Sequence, residues 1–135
     1  MPFTWTEELA TGHPVIDAQH REIFKALDNF RDLTSEGKGR EGVGAALKFT
    51  ADYISKHFSD EEGIQARSNY PDRVNHKGLH EAFKKVVADL LKEFNEQGPT
   101  IMLFNKVNTN LGRWVVNHVI NEDKKVAAHI RAAGQ

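Results

Sequence analysis

Five of the seven histidines in this chain fall where helical spacing calls for apolar side chains, and that pattern constrains the fold more than any other feature. Ile16, His20, Ile23, Phe24, Leu27 and Phe30 form one stripe at helical spacing. Val43, Ala46, Leu47, Thr50, Ile54, His57, Glu61 and Ile64 form a second, and His76, His80, Phe83, Val87, Leu91 and Phe94 a third. Phe104, Val107, Leu111, Trp114, Val115 and His118 form the fourth. Residues four apart on a helix lie one turn above each other, so His57 stands over Glu61 and His76 over His80.

Breaks separate the stripes. Gly37-Lys38-Gly39 stops the first, and Gln97-Gly98-Pro99 separates the third from the fourth. Ser68-Asn69-Tyr70-Pro71-Asp72 is turn chemistry, with Pro71 barring helix continuation. The predicted helices run from Asp17 as N-cap to the Gly37-Lys38-Gly39 stop, then about 41–66, 72–96 and 100–117, with a short last helix near 122–133. Short connections make successive helices antiparallel. The expected fold is all-α: one domain over residues 1–135, with an irregular arm (1–16) anchored by Trp5 and Leu9. An up-down-up-down four-helix bundle (about 17–120) and the short C-terminal helix follow it.

Composition removes several function classes. A net charge of -1, with basic and acidic residues interspersed, offers no patch for nucleic acid or an anionic membrane. No apolar run is long enough to span a bilayer, and the first ten residues lack the pattern of a secretion signal, so a cytoplasmic location is expected. The charged, mixed outer faces lead us to expect a monomer. With no cysteine, disulfides, thiolate nucleophiles and zinc-thiolate sites are out, and any metal must be held by nitrogen and oxygen.

One histidine on an apolar stripe is ordinarily a core residue satisfied by one hydrogen bond. Five, drawn from all four helices and joined by the carboxylate of Glu61, are too costly to bury without a cation. Asp123, five residues after His118, returns to the same level if the fourth helix loosens there. A mixed imidazole and carboxylate set suits iron, with manganese the weaker choice, better than zinc, magnesium or calcium. It also exceeds what one ion can use. On two six-coordinate irons, five imidazoles, two bridging carboxylates and one bridging oxygen would leave a single position open.

His20, His57-xxx-Glu61, His76-xxx-His80 and His118-xxxx-Asp123 resemble, in order and spacing, the ligand set of the hemerythrin family. Ile16-Asp-Ala-Gln-His20, Tyr70-Pro71 and Trp114-x-x-Asn-His118 extend the similarity over about residues 5–130. The resemblance implies two iron ions, one held by His76, His80 and His118 and the other by His20 and His57, with Glu61 and Asp123 bridging. It implies dioxygen as the partner and reversible binding rather than enzymatic turnover. The alternatives are a di-iron oxidase, peroxidase or nitric-oxide-handling enzyme, and a sensor acting through a separate protein.

An oxygen pocket walled by Ile23, Phe24, Ile64, Gln65, Trp114 and Val115 is expected. Gln65 stands where the family commonly carries methionine, and Val115 where it commonly carries leucine. Either Gln65 turns to the bundle edge and is neutral, or its amide enters the pocket and admits water. Thr50 and Tyr53 are candidates to hydrogen-bond ligand imidazoles or merely to pack. His13 and His129 read as surface residues, and Glu62 as facing outward.

Overall fold

Pro14 begins the first helix, earlier than Asp17 suggested. In the computed structural model, which describes residues 5–37 and 39–134, α1 spans Pro14–Ser35 and is capped by His13. Nδ1 of His13 accepts from the Ile16 amide at 3.3 Å. Proline suits the first helical position because its missing N–H would have no partner there. Asp17 is therefore not the cap. Its carboxylate turns back to the arm and accepts from the amide and hydroxyl of Thr11 at 2.9 and 2.7 Å and the amide of Gly12 at 3.1 Å. Residues 1–4 of the expected arm, Lys38 and Gln135 lie outside the described residues.

The arm carries a short 3-10 turn, Glu7–Leu9, with Leu9 buried in the core. It is stitched to the far end of the chain. Nη1 of Arg131 donates to the Thr11 carbonyl at 2.8 Å, and Nζ of Lys124 to the Glu8 carbonyl at 2.6 Å.

Helices α2 (Arg40–Arg67) and α3 (Arg73–Gln97) lie within a residue of their predicted limits. The turn between them is set by Asn69 at φ 55°, a left-handed conformation that asparagine tolerates. Gly98, at φ 78°, ends α3.

The fourth helix differs from expectation. It starts after Thr100, whose hydroxyl accepts from the Leu103 amide at 3.0 Å. It then runs on through Ile101–Lys106, a π segment Val107–Gly112, Arg113–His118, a second π segment Val119–Asp123 and Lys124–Ala132. The expected C-terminal helix is present as Lys124–Ala132, joined to the fourth helix through the second π segment. Val119-Ile-Asn-Glu-Asp123 holds neither glycine nor proline, so the chain absorbs an extra residue by widening a turn instead of breaking. The four helices form the expected antiparallel bundle, and no strand occurs among the described residues.

Apolar packing separates into two regions. The larger contains Phe24, Phe30, Leu47, Ile54, Phe83, Leu103 and Leu111, all buried. The smaller joins Ile16, Tyr70, Val126 and Ile130, with Ile64 packed against them. Along α1, His20 falls between Ile16 of one region and Ile23 of the other; along the fourth helix, Asp123 falls between Val119 and Val126. The polar groups thus lie where the two apolar regions meet. Three inner positions shift from the predicted stripes: Leu90 rather than Leu91 and Leu103 rather than Phe104 are buried, and Gln65 rather than Ile64 continues the inner face of α2. Among the described residues, no helix is long and apolar enough to cross a membrane.

Candidate metal centre

The seven predicted ligands come together, and all are buried. One ligand atom from each of Glu61, His76, His80, His118 and Asp123 lies within 4.8 Å of the others, and the same holds for His20, His57, Glu61 and Asp123. The two groups share both carboxylates. Each carboxylate divides its oxygens between them. Oε1 of Glu61 lies 2.6 Å from Nε2 of His76 and 3.5 Å from Nε2 of His80, while Oε2 lies 3.4 Å from Nε2 of His57. Oδ1 of Asp123 lies 3.2 and 3.1 Å from Nε2 of His76 and His118, while Oδ2 lies 2.8 Å from Nε2 of His20.

Hydrogen bonds on the far sides of two rings set their tautomers. Nε2 of Gln19 donates to Asp60 at 2.8 Å, where Lys56 Nζ also donates at 2.9 Å. The Gln19 carbonyl oxygen therefore faces His57, and Nδ1 of His57 donates to it at 2.7 Å. Nδ1 of His80 likewise donates to Oε2 of Glu62 at 2.9 Å. With their protons held at Nδ1, both rings turn a lone pair at Nε2 toward the cluster.

Nε2 of His118 sits 3.0 Å from Nε2 of His76 and 3.1 Å from Nε2 of His80. Lone pairs converging at that distance repel unless positive charge lies among them. Oε2 of Glu61, both oxygens of Asp123 and both nitrogens of His20 are buried without a well-aligned hydrogen bond. Close approach without hydrogen-bond alignment is what atoms grouped about a cation would display. Imidazole nitrogen and carboxylate oxygen, with no sulfur, suit a first-row transition metal. The residues fit a metal site.

Charge within the cluster agrees. Burial and the neighbouring Asp123 carboxylate push the Glu61 carboxyl up, but the close imidazoles of His57, His76 and His80 outweigh them and lower it. Burial likewise opposes ionisation of Asp123, and the adjacent imidazoles of His118, His20 and His76 hold it well below the usual carboxylate range. Burial disfavours the His76 imidazolium, yet the adjacent carboxylates of Asp123 and Glu61 raise it to about 9. The metal-free cluster thus pairs two carboxylates with retained protons, which a metal would displace.

Aromatic rings clamp the imidazoles. Phe58 stacks on His80 with centroids 3.8 Å apart, and Trp114 stacks on His118 at 4.4 Å and on Phe83 at 3.9 Å. A narrow cavity touches His20, His57, His118 and Asp123 and has about 10 Å³ open to the centre of a water-sized molecule, enough for about one. Ile23, Trp114 and Val115 line it as expected, and Ile54, Phe58 and Val119 complete it.

Three expected walls lie elsewhere. Phe24 is buried in the larger apolar region, and Ile64 packs with Ile16 and Tyr70. Gln65 neither turns to the bundle edge nor lines the cavity: it is fully buried, and its Nε2 donates to Oε1 of Glu61 at 3.3 Å. Residues four apart lie one turn above each other, which puts the amide over the carboxylate.

Gln19 and Glu62, each next to a ligand in sequence, are the partners that sequence reasoning missed. Glu62 faces His80 rather than solvent. Thr50 instead donates to the Ala46 carbonyl at 2.9 Å, and Tyr53 stacks on Phe49. His13 is a helix cap, and Nε2 of His129 donates to the Ser68 carbonyl at 2.7 Å, so neither is a free surface group.

Known proteins share this arrangement. The family model of the Hemerythrin HHE cation binding domain matches residues 11–130. A bacteriohemerythrin of Stenotrophomonas maltophilia is 33% identical over 128 residues, which cover 95% of this chain and 81% of that protein. Hemerythrin subunit alpha of Lingula reevii is 29% identical over 92% of each chain. The crystal structure of a hemerythrin mutant superposes with a TM-score of 0.82 at 30% identity, covering 94% of this chain and 95% of that one.

Proposed function

We propose that this chain, which belongs to the hemerythrin family, binds dioxygen reversibly at a non-haem di-iron centre. His76, His80 and His118 would hold one iron and His20 and His57 the other, with Glu61 and Asp123 shared. The observation that carries this reading is the division of each carboxylate, one oxygen toward each histidine group. A single ion would leave half of those oxygens unused.

The iron pair, when bound, would supply the electrons and the vacant coordination position that dioxygen requires. The chain supplies the surroundings. Gln19 and Glu62 hold the Nδ1 protons of His57 and His80, which keeps both Nε2 lone pairs aimed inward. Ile23, Ile54, Phe58, Val115 and Val119 give the cavity an apolar wall beside His20 and His57, with room for a small diatomic and little water. Trp114 packs its ring against His118 and closes that side.

The cavity also favours binding over turnover. Apart from the proposed ligands, no side chain lining it carries a titratable proton. An oxidase or peroxidase on this site would lack a general acid to drive breakage of an oxygen–oxygen bond.

Anaerobic expression, iron analysis and repeated cycling between air and argon test the proposal. Two irons per chain and a visible band that appears and disappears over many cycles are expected. One irreversible bleach, or sustained oxygen consumption with a reductant, would overturn reversible binding.

A further inference from the structure

Gln65 is fully buried one turn beyond Glu61, and its amide bonds to only one side of that carboxylate. Nε2 donates to Oε1, the oxygen facing His76 and His80, while Oε2, facing His57, receives no such bond. The backbone at Gln65 is pinned by the Tyr70 amide and the Ser68 hydroxyl, both donating to its carbonyl at 2.9 and 3.3 Å. The side chain is thus directed at Glu61 from a fixed base.

The amide is an expensive filler. Its own Oε1 is buried with no hydrogen-bond partner, an arrangement that costs about 1–3 kcal/mol. An unbranched apolar side chain of similar volume, such as methionine, would fill the space without that cost. A donor at this position makes sense if the bond to Glu61 has a use.

We propose that Gln65 is a positioning residue that makes Glu61 an unequal carboxylate and thereby favours the reduced state of the metal pair. The inference rests on the di-iron reading given above. A hydrogen bond draws charge from the oxygen that accepts it. Oε1 then gives less to a metal held by His76, His80 and His118 than Oε2 gives to one held by His20 and His57. Ferric iron needs that charge more than ferrous iron does, so weakening one donor shifts the balance toward the reduced form.

The test compares the iron-loaded wild type with Gln65→Met and Gln65→Leu, reading iron per chain, the midpoint of an anaerobic redox titration and the Mössbauer spectrum. Hydrogen bonds to charged groups contribute enough that about a tenfold rise in the oxidised-to-reduced ratio at fixed potential is expected in both variants. The two iron signals should also become more alike. A role in packing alone would instead move the thermal midpoint and leave the potential and the spectrum in place. Variants that keep two irons at an unchanged potential overturn the inference and leave the di-iron reading intact. Loss of iron from both variants while the wild type keeps it also overturns it, because Gln65 would then be needed for assembly. A wild type that holds no iron overturns both.

Discussion

His118 and Asp123 are five residues apart, yet Nε2 of the first lies 3.1 Å from Oδ1 of the second because a π segment fills the interval. An ordinary helix would rotate the fifth residue well away from the first. The widened turn returns Asp123 to the face of His118 and leaves Val126 and Ile130 pointing into the smaller apolar region. π segments of this kind concentrate at functional positions.

Asp123→Ala should therefore cost more than one ligand contact. Both histidine groups lose an oxygen, and iron per chain should fall from about two to one or fewer. Iron analysis after gel filtration checks this. Retention of two irons would remove Asp123 from the proposed ligand set.

Gln19→Leu should act on one group alone. His57 would lose the acceptor at its Nδ1, and removing such a partner typically lowers metal affinity about 10–100-fold. Competition with a chelator should then strip one iron per chain early and the other at the wild-type rate. Equal loss of both would show that the two groups do not bind separately.

Glu62→Gln keeps an acceptor beside His80 and removes its charge. His80 becomes a weaker donor, and the redox midpoint should rise in favour of ferrous iron, with the helical content unchanged. Because Glu62 is only partly buried, the shift should be smaller than for a fully enclosed carboxylate. Redox titration and circular dichroism together decide it.

Metal removal should expose a pH dependence. The His76 imidazole is raised from 6.5 to about 9 in the folded, metal-free chain. A group raised on folding contributes stability that is full below about pH 6.5 and disappears as pH rises through about 9. The lowered carboxyls of Glu61 and Asp123 act in the opposite direction: their contribution is present above the ordinary carboxylate range and disappears on acidification. Thermal unfolding of the metal-free chain should thus weaken at both extremes. Iron loading should flatten the alkaline limb, since a bound nitrogen holds no proton there. A metal-free curve without an alkaline decline would contradict the pairing of His76 with the two carboxylates.

The bundle and the ligand cluster were legible because both rest on spacing. His57 and Glu61, and His76 and His80, show their common face through an interval of four. What was hidden depended on rotation about a helix or on a change of helical pitch. Ile64 and Gln65 are neighbours, and a small error in phase exchanges which of them points inward. Loosening near Asp123 could be read from the interval of five after His118, but the unbroken join to the last helix could not, because Val119–Asp123 holds no glycine or proline to announce it. Gln19 and Glu62 were missed because each bonds across to a different helix, and nothing in a linear pattern records that partner. Asp17 read as a helix cap because residue type alone does not say which backbone amides a carboxylate will meet.

The stitching of arm to tail bears on how the protein assembles in time. The bonds of Arg131 to Thr11 and of Lys124 to Glu8 join residues 120 and 116 positions apart, nearly the full span of the chain. Such closures forfeit the most loop entropy and are made late in folding. Asp123, immediately before Lys124, arrives on the same stretch of helix. The histidines of the first three helices can thus collect before the last carboxylate docks.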